Sequence, residues 1–216
     1  MNEARTQSQR LPAPDRRRQL LETALDFFSR KGFEGTTTKE IAAAAGVTEA
    51  IIFRHFPNKQ ALYNAVIDYP LESGEVAAWF EEWNALMAAN DDAGLFRSII
   101  HHVIASYRND ARSKRVILFA ALEGHEVGLE QHRQRSMPIF EPIFNYVARR
   151  QSEGALRPGS PAAIILAVAG AAAHYGMATE FFGFCSNLND TEIIDSFVDI
   201  ILHGVSPAPI LEKADQ

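Results

Sequence analysis

Apolar residues recur at spacings of three and four along almost the whole chain, and no run alternates with period two between Gly or Pro breakers. That periodicity predicts an all-α protein. A first helix is expected from about 15 to 31, with Leu20, Leu21, Ala24, Phe27 and Phe28 on one face and Gly32 as its stop. Thr37 and Glu40 have the T-x-x-E spacing of a capping box, so a second helix begins there, runs to Ala45 and is ended by Gly46. Thr48 N-caps a third short helix reaching about His55. Pro57-Asn58 then breaks the pattern, and Asn58 caps a fourth. Longer helical segments follow at roughly 58–70, 72–89, 92–108, 111–124 and 128–153. Ser160-Pro161 and the Asn189 to Glu192 spacing mark the starts of two more, about 161–182 and 190–203.

These elements group into a flexible N-terminal arm (1–14), a compact unit of short helices (15–62), a larger helical domain (63–205) and a loose tail (206–216) containing Pro207 and Pro209. The longest nearly apolar run, 161–173, stops short of the roughly 18 residues that suggest a membrane span and reads as a buried helix. The arm is polar and lacks the apolar stretch of a secretory signal, so a cytoplasmic protein is expected.

Residues 37–56, TTKEIAAAAGVTEAIIFRHF, have the spacing of a helix-turn-helix, two short helices about a tight turn at Gly46. Ile41, Ala42, Val47, Ile52 and Phe56 can form a shared core, and the small Ala42 and Ala45 let the helices approach closely. Glu49, Ala50, Ile51, Arg54 and His55 then face outward, and an outward Ile51 breaks hydrophobic patterning unless it meets a partner such as a thymine methyl. Arg16, Arg17 and Arg18 crowd the first turn of the first helix, where the helix dipole disfavours cations unless phosphates lie nearby. Lys59, in the first turn of the fourth, suits a DNA phosphate. A plain helical hairpin with solvated charge is the alternative.

The stretch QLLETALDFFSRKGFEGTTTKEIAAAAGVTEAIIFRHFPNKQALYNAVI resembles the DNA-binding domain of the tetracycline-repressor (TetR) family. The L-L-x-x-A-x-x-F-F helix ending in K-G-F, the T-T before helix two, I-A-x-x-A-G-V, F-x-H-F at 53–56 and N-K at 58–59 carry the likeness over about 16–67. The resemblance implies an N-terminal three-helix DNA-binding domain followed by a larger ligand-binding and dimerisation domain. It implies that Thr38 and Lys39 approach the backbone and a base edge, and that Glu49, Ala50 and Ile51 read bases. Phe53, His55 and Lys59 take its phosphate-facing positions, and Arg16, Thr48 and Arg54 complete the candidate contacts. Phe53 stands where tyrosine is usual and has no hydroxyl to donate. Glu49 is a second departure, an acid facing a polyanion.

Charge adds a modest point. Residues 1–62 hold 10 Lys/Arg against 7 Asp/Glu, although the chain as a whole carries −6. The basic end is therefore the helix-turn-helix end. With one cysteine, Cys185, no intramolecular disulfide is possible.

The same resemblance implies a homodimer on a palindromic operator, joined through the last two helices. Ile164, Ile165, Val168, Ala172 and Tyr175, with Ile193, Phe197, Ile200 and Ile201, are the candidate interface. The alternative is that both helices are core. The middle helices supply aromatic and Met side chains for an apolar effector cavity, the candidates being Trp79, Trp83, Phe96, Phe119, Phe140, Phe144 and Met177, with His101 and His174 orienting a polar atom. No H-x-x-x-H pair, G-x-S-x-G, G-x-x-x-x-G-K or G-x-G-x-x-G is present, so neither a metal, a cofactor nor an enzyme activity is expected. The expectation is thus a repressor released from its operator by a small apolar or amphipathic effector. The rival readings are a helical enzyme with an aromatic-lined active site and a DNA-binding regulator without an effector.

Overall fold

The computed structural model describes residues 12–72 and 74–205. Most of the arm and all of the 206–216 tail lie outside the described residues. Among those described, ten α-helices and one 3-10 turn account for the regular structure: α1 Ala13–Lys31, α2 Thr38–Ala44, α3 Glu49–His55, α4 Lys59–Asp68, the turn Tyr69–Glu72, α5 Gly74–Ala88, α6 Asp92–Asn109, α7 Arg112–Leu122, α8 Glu126–Ser152, α9 Pro161–Phe182 and α10 Asp190–Val205. The fold is all-α, as the periodicity requires.

Local chemistry explains the ends. Thr37 accepts the Glu40 amide while Glu40 accepts the Thr37 amide, a complete capping box. Asn58 caps α4 through the Ala61 amide at 2.8 Å, and Ser160 caps α9. Asn189 accepts the amides of Thr191 and Glu192 at the start of α10. Thr48 differs from expectation: it holds the N-cap position of α3, but its side chain makes no capping bond. Gly46, with φ +67°, supplies the left-handed turn after α2, and the Val47 amide reaches back to the Ala42 carbonyl at 2.9 Å. Helix α4 ends earlier than its apolar pattern suggests, because Pro70 lacks an amide hydrogen and disfavours helical geometry at the residue before it.

The chain forms two compact units, and they do not follow a single cut near residue 62. One comprises residues 12–70 with 112–132, the other 71–111 with the residues from 133 onward. In the first, Leu20, Leu21, Ala24, Leu25 and Phe28 of α1 pack on Ile41 and Ala42 of α2, Ile52 and Phe56, and Leu62, Tyr63, Val66 and Ile67 of α4. Val116 and Ala120 of α7 complete that core. Four helices this short leave one side of α1 and α4 uncovered, and a helix from some 50 residues downstream closes it.

In the second unit, Trp83, five apolar residues of α6 from Leu95 to Ile104, and Ile143 and Val147 of α8 pack with inward residues of α9 and α10. Helix α9 is long and apolar enough to cross a membrane by length and composition alone. Its residues Ile164, Ile165, Val168, Ala172 and Tyr175 are buried in this core. That corrects the interface expectation for these five, as it does for buried Ile201; Ile193 and Phe197 pack against the same core. Of the nine interface candidates only Ile200, 66% exposed, faces outward; on α9 Leu166 is also exposed, at 71%. The apolar period marked the side that each helix turns to its own core.

Candidate nucleic-acid interface

Helix α3 presents two faces. Ile52 is fully buried and Phe56 nearly so, while Ala50, Phe53 and Arg54 are exposed. Phe53 is 44% exposed, an aromatic held away from any core. Lys39 on α2 and Thr48 at the head of α3 are exposed as well.

The remaining candidates have intramolecular partners that the sequence does not reveal. Thr38 is buried and donates its hydroxyl to the Glu49 carboxylate. The two residues, both expected as contacts to DNA, hold the starts of α2 and α3 together. Ile51 is only half exposed: it lines a cleft of about 590 Å³ with Pro12, Ala13, Arg16, Val47, Arg54 and His55. An apolar outward residue is thus partly sheltered by the start of α1. The His55 Nε2 atom is buried with no hydrogen-bond partner among the described residues. Burial first, then the charges of Arg54, Arg16 and Arg17, lower the pKa of this imidazole and favour its neutral form.

The three arginines of α1 are also engaged. Arg16 donates to Gln19 at 2.6 Å, Arg17 stands over the Phe56 ring at 5.6 Å and Arg18 pairs with Asp15 at 3.0 Å. Their crowding at a helix start is therefore partly offset within the chain and does not by itself demand phosphates. Lys59 holds its ammonium 4.1 Å from the Phe33 ring centroid, a cation–π contact.

Two supports come from residues that sequence reasoning passed over. Gln19 donates to the Ala45 carbonyl at 3.2 Å, satisfying the end of α2 from α1. Glu123, on the turn after α7, accepts the Phe33 amide at 3.0 Å and so grips the turn between α1 and α2. No spacing rule could have found a partner 90 residues away.

In the second unit the effector candidates do not share one cavity. Trp83 and Phe96 are buried core, and the Trp83 indole donates to Ser98 at 3.0 Å. Trp79 and Phe144 pack against that core. Phe140 and His174 are exposed and Met177 is half-buried. Phe119 is corrected outright, since α7 belongs to the first unit and its ring lies beside Gly32. His101 alone of the nine lines an open groove of about 440 Å³ with Glu82, Leu86, Gly94, Arg97, Ser98, Thr191 and Ile194. The Glu82 carboxylate there accepts from Ser98 at 2.6 Å and lies 2.8 Å from His102 Nε2, contacts that lower its pKa. No group of three His, Cys, Asp or Glu suited to a metal ion occurs among the described residues.

Comparison with known proteins bears on the first unit most directly. Residues 20–66 match the family described as bacterial regulatory proteins, tetR family. The HTH-type transcriptional regulator AcrR of Shigella flexneri is 30% identical over 128 residues, 58% of each chain. The nucleoid occlusion factor SlmA of Marinobacter nauticus is 26% identical over 147 residues, 68% of this chain and 71% of that one. Among solved structures, AibR in complex with isovaleryl coenzyme A and operator DNA superposes with a TM-score of 0.62 at 22% identity, covering 86% of this chain and 97% of that one. At that identity the likeness is one of fold.

Proposed function

Since residues 20–66 make this chain a member of the tetR family of bacterial regulatory proteins, we infer that it is a sequence-specific DNA-binding transcriptional regulator, a repressor that leaves a palindromic operator when a small effector binds. The observation that carries the DNA-reading half is the outer face of α3, where Ala50, Phe53 and Arg54 stand exposed, as does Lys39 on α2. A short helix with one face in a core and a small, cationic, otherwise unused face outward suits the major groove. Arg16, which shares a cleft with Ile51, Arg54 and His55, and Lys59 at the start of α4 are the cations we assign to phosphates.

One such helix reads only a half-site, so the reading needs two copies. The outward face of α9 and α10, with Leu166 and Ile200 among small residues such as Gly170, is the surface we assign to a second copy. Effector binding belongs to the second unit, where the groove bearing His101 adjoins the Trp79, Trp83 and Phe96 cluster. Its mixed lining suits an amphipathic molecule, and the ligand-bound, operator-bound state of AibR supports the pairing of the two activities. Release requires only that the effector prefer the form whose reading heads miss successive major grooves.

Selection from random duplex DNA tests the reading. It should return a palindrome with half-sites one helical turn apart, about 34 Å. No enriched sequence would contradict it.

A further inference from the structure

The ammonium of Lys59 stands 4.1 Å from the centroid of the Phe33 ring, and Phe33 lies on the turn between α1 and α2. That ring is only half-buried, and much of what fixes it comes from the far end of α7, in the same compact unit. Helix α7 stops at Leu122, Gly124 takes φ +75°, and the His125 amide returns to the Ala120 carbonyl at 2.9 Å. This is a left-handed glycine stop. It leaves Glu123 and His125 on either side of the turn, and both reach Phe33. The Glu123 carboxylate accepts the Phe33 amide at 3.0 Å, and the His125 ring meets the Phe33 ring edge-on at 4.5 Å. Tyr63, one helical turn after Lys59 on α4, packs on both rings, 5.1 Å from Phe33 and 4.8 Å from His125 between centroids. Glu123 and His125 lie outside residues 20–66, the stretch matched by the family.

We propose that Phe33 is a positioning residue for Lys59 and that Glu123 and His125 hold it in that role, so that the α7–α8 turn sets how well α4 grips a DNA phosphate. The proposal rests on the assignment of Lys59 to a phosphate and adds to it. A lysine head sits on a long flexible stem, and ordering that stem on the DNA backbone costs binding free energy. A ring face that already holds the ammonium removes part of that cost before the DNA arrives. The choice of an aromatic partner matters. A carboxylate beside Lys59 would order it equally well but would cancel the charge that the phosphate needs, whereas a neutral ring leaves that charge whole. Glu123, the acid of the cluster, is spent on the Phe33 backbone amide.

The test measures the affinity of the full chain for the selected palindrome, crossing Phe33→Leu, Phe33→Tyr and Glu123→Ala with Lys59→Ala. Phe33→Leu keeps apolar bulk and loses the ring, and should weaken binding about threefold at each half-site, hence about tenfold on the palindrome. In the Lys59→Ala background the same change should cost nothing. Phe33→Tyr, which keeps the π face, should bind like the parent. Glu123→Ala should lose affinity in the same direction, and again only where Lys59 is present. If Phe33→Leu fails to fold, Glu123→Ala, at an exposed residue, decides by the same rule. Equal losses with and without Lys59 would make these residues merely structural and overturn the proposal. No loss in any variant would overturn it too, as would tighter binding by Phe33→Leu, since the ring would then draw Lys59 away from DNA. If Lys59→Ala binds like the parent, the phosphate assignment falls and the proposal with it. If the parent binds no duplex at all, the DNA-binding reading itself falls.

Discussion

Thr38 on α2 donates its hydroxyl to the carboxylate of Glu49 on α3, so the first turns of the two helices are joined by a side-chain bond across the Gly46 turn. An acid in a surface meant for a polyanion is unfavourable, and this bond gives Glu49 a reason to be there: it holds the reading helix against its supporting helix. Thr38→Val and Glu49→Ala each remove one partner and should each cost about 1 kcal/mol, and the double variant little more than either alone. Denaturant titration of the four proteins measures the coupling. Fully additive costs would mean that the two residues do not act as a pair.

Gly32 ends α1 with φ +67°, and a Cβ there would stand 2.2 Å from Glu123 Oε1 and 3.3 Å from the Phe119 ring. The carboxylate could swing aside, but only by releasing the Phe33 amide that it accepts. Gly32→Ala should destabilise the chain by roughly 1–2 kcal/mol, combining the left-handed backbone with the lost bond. In a Glu123→Ala background the added cost should shrink without vanishing, since the backbone term remains. A thermal melt of each variant reads this.

Lys31 is the main cause, and the Thr37 backbone and side chain the next, of a Glu40 pKa lowered to about 2. A carboxyl depressed in the folded chain stabilises it fully above its ordinary value of 4.5, and that contribution is lost as pH falls toward 2. Glu40→Gln should therefore melt below the parent at pH 7, and the gap should narrow between pH 4.5 and 2. A gap that stays constant over that range would refute the linkage.

Phe197 meets Tyr175 edge-on at 6.3 Å within the second unit, whereas Ile200, one helical turn on, is exposed. Ile200→Asp should therefore yield a folded monomer with weak operator binding, while Phe197→Asp damages the fold itself. Sedimentation separates the species, and circular dichroism reports whether each is folded. A tight Ile200→Asp dimer would place the second copy on another surface.

Helix positions were legible because they depend on period and caps: Thr37, Glu40, Asn58 and Ser160 act where their spacing put them. The helix-turn-helix core was legible too, since Ile41, Ala42, Ile52 and Phe56 lie close together in the chain. Periodicity could not say what an apolar face meets, which is why inward Ile164 and Val168 read like outward Ile200. Nor could it place α7 with α1 and α4, or bring Glu123 to Phe33, because such contacts depend on tertiary closure over long loops. Phe119 was assigned to the effector site for that reason.

The central claim, that the α2–α3 face binds operator DNA, is tested most directly by the affinity for the selected palindrome measured across salt concentrations, for the parent chain, Lys59→Ala and Phe53→Tyr. Log affinity should fall steeply and linearly with log salt, and Lys59→Ala should reduce that slope by about 1. Phe53→Tyr, restoring a hydroxyl at an exposed position, should tighten binding to all sequences alike. Binding indifferent to salt, or unchanged by both substitutions, would contradict the account.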